Sequence, residues 1–355
     1  MRAIFVFALC LAFVSASLAQ TAPTPQPELP KDPRALLELA KPHYNFSDPT
    51  LRPWHVKASY QIFNEVGKPT EQGTYQIWWV SPKVHRESWN RPHASRSDWF
   101  TGNGQHFRLE SGDHLKFFEH NLQQELFAPL MGWPSVKPEG VQLRYEERKS
   151  GSAKFPCVLI NRVQSGMPAA AASTPDSIYC FDEKSPVLRG ITTWTGMMTT
   201  FDDVWRFEDK YLPHDITIYA NGLREFTAHI EMSEALAPAD AALSPTSEAV
   251  EEKGPAVLTG KPDGIPLAKL LNKVYPVYPP EAKKAGQTGV VLLGATIGID
   301  GSVHDLEVIS APAKSLADAA LEAVSQWKYQ PYERDGQKIE IHTMINVVFT
   351  LGGKR

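Results

Sequence analysis

The sequence predicts a mainly β protein of two domains: an antiparallel curved sheet or half-barrel with few helices over residues 33–235, then a small α+β domain over 264–353. Three observations lead there. Residues 54–232 are a series of alternating polar and apolar runs separated by turn residues, as in an antiparallel meander. Residues 236–263 lose every aromatic and fill with Pro, Ala, Ser and Glu, which marks a linker. Residues 264–353 regain a strand, hairpin, helix, strand order within a length that folds alone.

Length and composition set the outer bounds. With 355 residues, 42% hydrophobic and 21% charged, the chain is ordinary for folded protein and long enough for two cores. A formal net charge of -4 without a basic stripe argues against nucleic acid as a partner. Residues 1–19 hold Arg2, an apolar run over 3–14 and Ser17-Leu18-Ala19, the pattern of a secretory signal peptide cleaved after Ala19. An uncleaved inner-membrane anchor is the competing reading, although the run falls short of the about 20 residues a spanning helix needs. Cys10 lies inside that run without the small residues expected before a lipidated cysteine. Residues 20–32 carry Pro23, Pro25, Pro27 and Pro30 and form an extended spacer. Asp32 then caps a short helix with Pro33 at its first position and Leu36, Leu37 and Ala40 along one side.

Strands are expected over 54–66, 73–89, 95–109, 115–118, 141–148, 155–163, 178–194, 205–209, 214–219 and 225–232. Gly67-Lys68, Asn103-Gly104, Gly112-Asp113 and Asn221-Gly222 supply reversals, and helix is limited to the first segment and a piece around 122–130. Such a series curls into a strongly curved sheet with the helices over its concave side. Cys157 and Cys180 remain after the leader, and an even pair in an exported chain favours a disulfide. A redox couple would need C-x-x-C spacing. Their strands, 154–160 and 177–181, form a hairpin about Pro168 and Ala169 that sets the two cysteines opposite each other.

Eight of the nine tryptophans precede residue 236. Trp78, Trp79 and Trp99 are candidates for lining a ligand cavity, against the plainer reading that large aromatics fill the core. Trp78 and Trp79 are neighbours, so on a regular strand they point to opposite faces and at most one faces the cavity. The run Gly73-Thr74-Tyr75-Gln76-Ile77-Trp78-Trp79-Val80-Ser81-Pro82-Lys83-Val84-His85-Arg86, followed by Asp98-Trp99-Phe100-Thr101-Gly102-Asn103-Gly104, is similar to LolA-type periplasmic lipoprotein carriers and the related RseB sensor. That resemblance implies a half-barrel fold and a lipid or acyl ligand.

The linker over 236–263 reaches roughly 90 Å when fully extended, so the two domains are expected to tumble semi-independently. In the tail, Tyr278-Pro279-Pro280 leads into a short helix over 281–285 that Gly286 ends. Residues 290–299 are nearly all apolar, and Asp300-Gly301 makes a two-residue hairpin turn that sets Ile297, Ala295 and Leu293 against His304, Leu306 and Val308. Ser315 and Asp318 form a variant capping box for a helix whose stripe includes Leu316, Ala320, Val324 and Trp327. The last strand alternates: Ile339, Ile341, Thr343, Ile345, Val347 and Phe349 on a buried side, Glu340, His342, Met344 and Asn346 on a wet one.

The Tyr278-Pro279-Pro280 lead-in, Gly289, Asp300-Gly301-x-Val303, Ala319-Ala320-Leu321, Trp327-Lys328-Tyr329-x-Pro331 and Val347-x-Phe349 together resemble the C-terminal domain of TonB, the energy transducer of Gram-negative bacteria. The resemblance implies a last strand at a sheet edge that recruits an outer-membrane receptor or other envelope protein by strand addition. Its partner-binding residues would be Ile341, His342, Thr343, Met344, Ile345, Asn346, Val347, Val348 and Phe349, beside Tyr278, Pro279 and Pro280. A neighbour or a dimer mate covering that edge is the alternative. The leader, if cleaved, places the chain in the periplasm; uncleaved, it would anchor the chain at the inner membrane. Full-length TonB has a membrane anchor with a Ser/His pair and a long Pro/Lys/Glu spacer; this leader has no His, and a folded β domain replaces the spacer. The expected role is a binding and coupling protein supporting transport across the envelope, or a lipid or lipoprotein carrier whose tail only docks it.

Enzyme chemistry is not expected. There is no G-x-S-x-G, H-E-x-x-H or P-loop. His106, His114 and His120 lie near one another without metal-ligand spacing, so neither a metal nor another cofactor is expected.

Overall fold

The computed structural model describes residues 28–351 except 65, 131–140, 163–174, 194, 253–257, 260–268 and 335–336. The leader, most of the proline spacer, the hairpin tip at Pro168 and Ala169, and the end of the expected linker lie outside the described residues. No described helix is long and apolar enough to cross a membrane.

Helix α1 (Pro33–Ala40) starts as expected, with Asp32 accepting a 2.7 Å hydrogen bond from the Ala35 amide. Twelve strands follow: β1 (Trp54–Phe63), β2 (Pro69–Ser81), β3 (Val84–Arg91), β4 (Ala94–Phe100), β5 (His106–Gly112), β6 (Val141–Ser150), β7 (Ala153–Arg162), β8 (Ser177–Phe181), β9 (Leu188–Thr193), β10 (Met197–Phe207), β11 (Lys210–Ala220) and β12 (Leu223–Ala235). Reversals at 82–83, 101–105 and 182–187 split three of the ten expected runs. Residues 115–118 correct the sequence reading, because they open α2 (Phe117–Phe127) instead of forming a strand. Glu119 decides this locally: its carboxylate accepts from the Lys116 amide at 2.7 Å, half of a capping box.

The strands pair antiparallel in the order β5-β4-β3-β2-β1-β12-β11-β10-β9-β8-β7-β6. So wide an open sheet has to curl. Its concave side closes on an aromatic core of Trp54, Tyr75, Phe181, Phe201 and Phe226, into which α1 and α2 push Leu36, Leu37, Leu122 and Leu126. The expected disulfide is present: Cys157 faces Cys180 across the β7–β8 pair, bridged.

The segment expected to be a free linker is bound over its first half. The Leu236 amide donates to Pro53 O at 2.8 Å, Trp99 Nε1 donates to Ala242 O at 3.1 Å, and β13 (Val250–Glu251) adds to β5. Ala, Pro and Ser offer no core of their own, yet their backbone groups pair with an available sheet edge and an indole.

The tail domain is a four-stranded sheet in the order β14 (Leu258–Thr259), β21 (Ile341–Phe349), β16 (Gly289–Ile297), β17 (Val303–Ser310), with α3 (Pro280–Lys284) and α4 (Lys314–Val324) on one face. Two short pairs complete it, β15 (Leu270–Asn272) with β18 (Lys328–Tyr329) and β19 (Tyr332–Arg334) with β20 (Gln337–Ile339). The β16–β17 loop is one residue longer than expected. Gly298 pairs with Ser302, and Gly301 sits at φ +80°. That length shifts the register, so Ile297 meets Val303, and an irregularity at Asp305, φ +49°, restores the expected Leu293–Val308 pair. The expected Ser315–Asp318 capping box is absent as well: Ala313 is the cap, and Asp318 is held by Lys314 at 2.8 Å.

The domains are packed together, against the expectation of semi-independent tumbling. Val291, Leu293 and Ala295 of β16 face the tail's own helices, while Leu292, with Ile309 of β17, joins the core of the larger domain. The signal was in the residues. A strand apolar over 290–297 without alternation is covered on both faces, whereas a half-wet antiparallel strand alternates.

Candidate docking edge

Strand β21 is held along its whole length by β16, from Gly289 opposite Phe349 to Ile297 opposite Ile341. On its other side, β14 pairs in parallel with Ile341 and His342. From Thr343 to Phe349 no described strand lies beside it. Alternation sorts the candidate residues: Ile341, Ile345, Val347 and Phe349 are buried on the α4 side. His342, Met344, Asn346 and Val348 share the opposite face, where His342 is taken up by the larger domain while Met344 (38%) and Val348 (55%) stay exposed. The Asn346 Oδ1 is buried and accepts no hydrogen bond.

Tyr278 stands at the C-terminal end of this edge. Its ring meets Phe349 edge to face at 5.4 Å, and its hydroxyl donates to Gln287 O. Pro279 and Pro280 start α3, so the lead-in and the last strand come together as the sequence suggested.

The three tryptophans offered as cavity residues do not share a cavity. Trp79 lies on the concave side, buried and stacked on Trp54 at 5.8 Å, and serves as core. Trp78 and Trp99 are on the outer side, where Arg86 sits between their rings at 4.5 and 4.7 Å and the 241–243 turn covers Trp99. The period-2 argument for Trp78 and Trp79 holds, and Trp99 is excluded because it pairs with Arg86, itself opposite Trp78.

The histidines named from sequence also separate. His106 lies 2.7 Å from Asp98, His114 is 3.7 Å from Glu110, and His120 stacks on His342. No group of three or more His, Cys, Asp or Glu among the described residues could hold a metal ion. Buried charge is paired instead. Arg96 and Arg108 join His106 around Asp98 and hold its carboxyl well below the usual range against the cost of burial. Buried Glu119 accepts from Tyr60 and Arg91, and Arg91 also reaches Glu71 at 2.7 Å. Burial pushes Glu87 up to about 8 and Glu125 up to about 7. A cavity of about 380 Å³ lies where the domains meet, its wall mixing Phe118, Phe226 and Ile309 with Lys116, Glu225 and Glu307.

With this geometry in hand, the sequence match to known proteins falls on the tail. Residues 274–351 match the Gram-negative bacterial TonB protein C-terminal family. Protein TonB of Vibrio cholerae serotype O1 is 32% identical over 82 residues, which are 23% of this chain. The chain spans 34% of that curated relative's length. The solution structure of the Pseudomonas aeruginosa TonB CTD is similar over 25% of this chain and 90% of its own, at 27% identity and a TM-score of 0.22. A LolA superfamily protein from Nitrosomonas europaea is similar over 60% of this chain and 97% of its own, at 6% identity and a TM-score of 0.34.

Proposed function

We propose that this chain is a periplasmic, TonB-like binding and coupling protein that docks on outer-membrane transporters or other envelope partners by β-strand addition, supporting transport across the envelope. The supporting observation is the outer side of β21 from Thr343 to Phe349, which has no described strand beside it. Such an edge offers N–H and C=O groups to an extended peptide. The backbone supplies affinity and is blind to sequence; Met344 and Val348 on one face, with Tyr278 at the far end, give the partner's alternate side chains something to select. The leader read at 1–19 delivers the chain to the periplasm once cleaved.

The decisive test is proline at Met344 or Asn346. Titration calorimetry with receptor-derived extended peptides should lose all measurable binding, and binding unchanged in a folded variant would remove the strand-addition reading. A dimer mate using the same edge would show as a concentration-dependent mass in sedimentation that the same proline abolishes.

A carrier of a lipid or acyl ligand is the second reading, favoured by the roughly 380 Å³ cavity, a size within the range of small-molecule sites. Native mass spectrometry of gently purified protein should then show a bound acyl species. Ligand-free protein would leave the docking reading alone.

A further inference from the structure

At the boundary between the domains, His120 of α2 stacks on His342 of β21 with ring centroids 4.0 Å apart. Each domain contributes one ring. His342 Nδ1 lies 2.8 Å from Thr296 Oγ1, a partner that a neutral imidazole satisfies. The backbone comes close beside them: a side chain at Gly294 would place its Cβ 2.9 Å from Phe117 Cβ, and the Phe117 amide donates to Glu307 Oε2 across the boundary at 2.9 Å.

We propose that this seam is a proton-operated latch: the neutral His120–His342 pair holds the tail sheet against the larger domain, and protonation of the pair releases it. Two imidazolium rings at 4.0 Å would repel each other in this partly buried pocket. The surroundings reinforce this. Arg96 of β4 and Arg108 of β5 line the same pocket as both rings, and the carboxylate that could offset them, Asp98, is already bonded to both arginines and to His106. Glu110 of β5, with His114 beside it, and Asp305, Glu307 and Glu340 of the tail also face the pocket. His304 is tied to Asp305 and Glu340 at 2.8 and 3.8 Å. None of these carboxylates makes an ion pair with His120 or His342.

Burial, helped by Arg96, lowers His342 from 6.5 to about 4, and burial with the charge of His342 holds His120 well below 6.5. The docked state therefore refuses protons that the separated domains accept. Docking is at full strength above pH 6.5 and weakens as pH falls from there toward 4, by up to tenfold per unit for each histidine. Glu307 acts the other way. Burial raises its value in the docked state, so it takes up a proton more readily there and offsets up to one factor of ten per unit in its own window. Two histidines against one carboxyl leave docking weaker in acid, by at least about tenfold between pH 6.5 and 5. Release would open the 380 Å³ cavity, whose wall is shared by both domains.

The Phe117 amide reports the equilibrium directly, because its acceptor lies in the other domain. Site-resolved hydrogen exchange on the full chain, corrected for intrinsic rates, should show its protection factor falling at least about tenfold from pH 6.5 to 5, while the β1–β2 amides keep theirs. In His120→Phe/His342→Phe, which keeps a stack without a titrating group, protection at Phe117 should not fall. His342→Gln, which keeps a hydrogen-bonding side chain next to Thr296, should show a shallower fall than the wild type. Protection in the wild type that is flat with pH, or a fall of equal size in the double variant, overturns the latch. Neither result bears on what β21 binds.

Discussion

The two sheets end in different kinds of edge. The large sheet stops at β6, whose exposed positions include Arg144, Glu146, Glu147 and Lys149, and its other end at β5 is covered by β13. Charged side chains along an edge oppose a second strand by desolvation, and a covering strand removes the edge only where it pairs. The small sheet stops at β21, where Met344 and Val348 are exposed and β14 reaches only the first two residues. Short strands cap two residues of β5 and two of β21, so the contrast lies between the charged β6 and the apolar exposed positions of β21. On the strand-addition reading proposed above, recognition falls to the tail.

The strongest way to break this contrast is to remove the small sheet alone. Gly301→Ala should do so, because Gly301 is at φ +80° and an added Cβ would lie 1.9 Å from Tyr329 O. Strain plus that clash predicts a loss of about 3 kcal/mol or more in the tail. Two-probe denaturation should show the tail unfolding early, and peptide binding should vanish while the large sheet survives. Cutting the disulfide by Cys157→Ala/Cys180→Ala attacks the other side of the contrast. It should cost the large domain about 3 kcal/mol and leave peptide affinity at β21 unchanged in calorimetry, since the bridge joins strands at the charged end of the large sheet. A large fall in affinity would mean that the two edges are coupled.

A gentler change converts one edge into the other. Met344→Lys/Val348→Lys gives β21 the character of β6 without disturbing its buried face, so stability should move by less than about 0.5 kcal/mol. Peptide affinity should fall at least about tenfold, or about 1.4 kcal/mol. Unchanged affinity would show that this face of the strand plays no part in selecting partners.

How much of this was readable beforehand differs between the two sheets. The meander, the Cys157–Cys180 pairing and the tail's strand and helix order follow from local pattern, and the structure has them. What failed needed a view beyond the local run. Glu119 turned an apolar stretch at 115–118 into a helix start, and Gly301 needs one more loop residue than a two-residue turn allows. The seam was missed because each half of it looks ordinary alone: Gly294 is one glycine in a strand, and His342 one polar residue on a wet face. Only the nearly all-apolar run of β16, without alternation, carried a sequence sign that a second surface lay against it.

Asn346 gives the finest test of what the edge at β21 is for. Its Oδ1 is buried without a partner, which costs about 1–3 kcal/mol, while neighbouring positions on the same strand are well packed. Asn346→Val removes that group and suits a strand, so urea denaturation should show the tail more stable by about 1 kcal/mol. Calorimetry then separates two meanings. If peptide affinity falls as stability rises, the amide is kept for a partner that completes its hydrogen bonds, and the edge is less stable because it binds. If affinity is unchanged, selection rests on Met344 and Val348, and the asparagine is a local defect that the β16–β21 ladder tolerates.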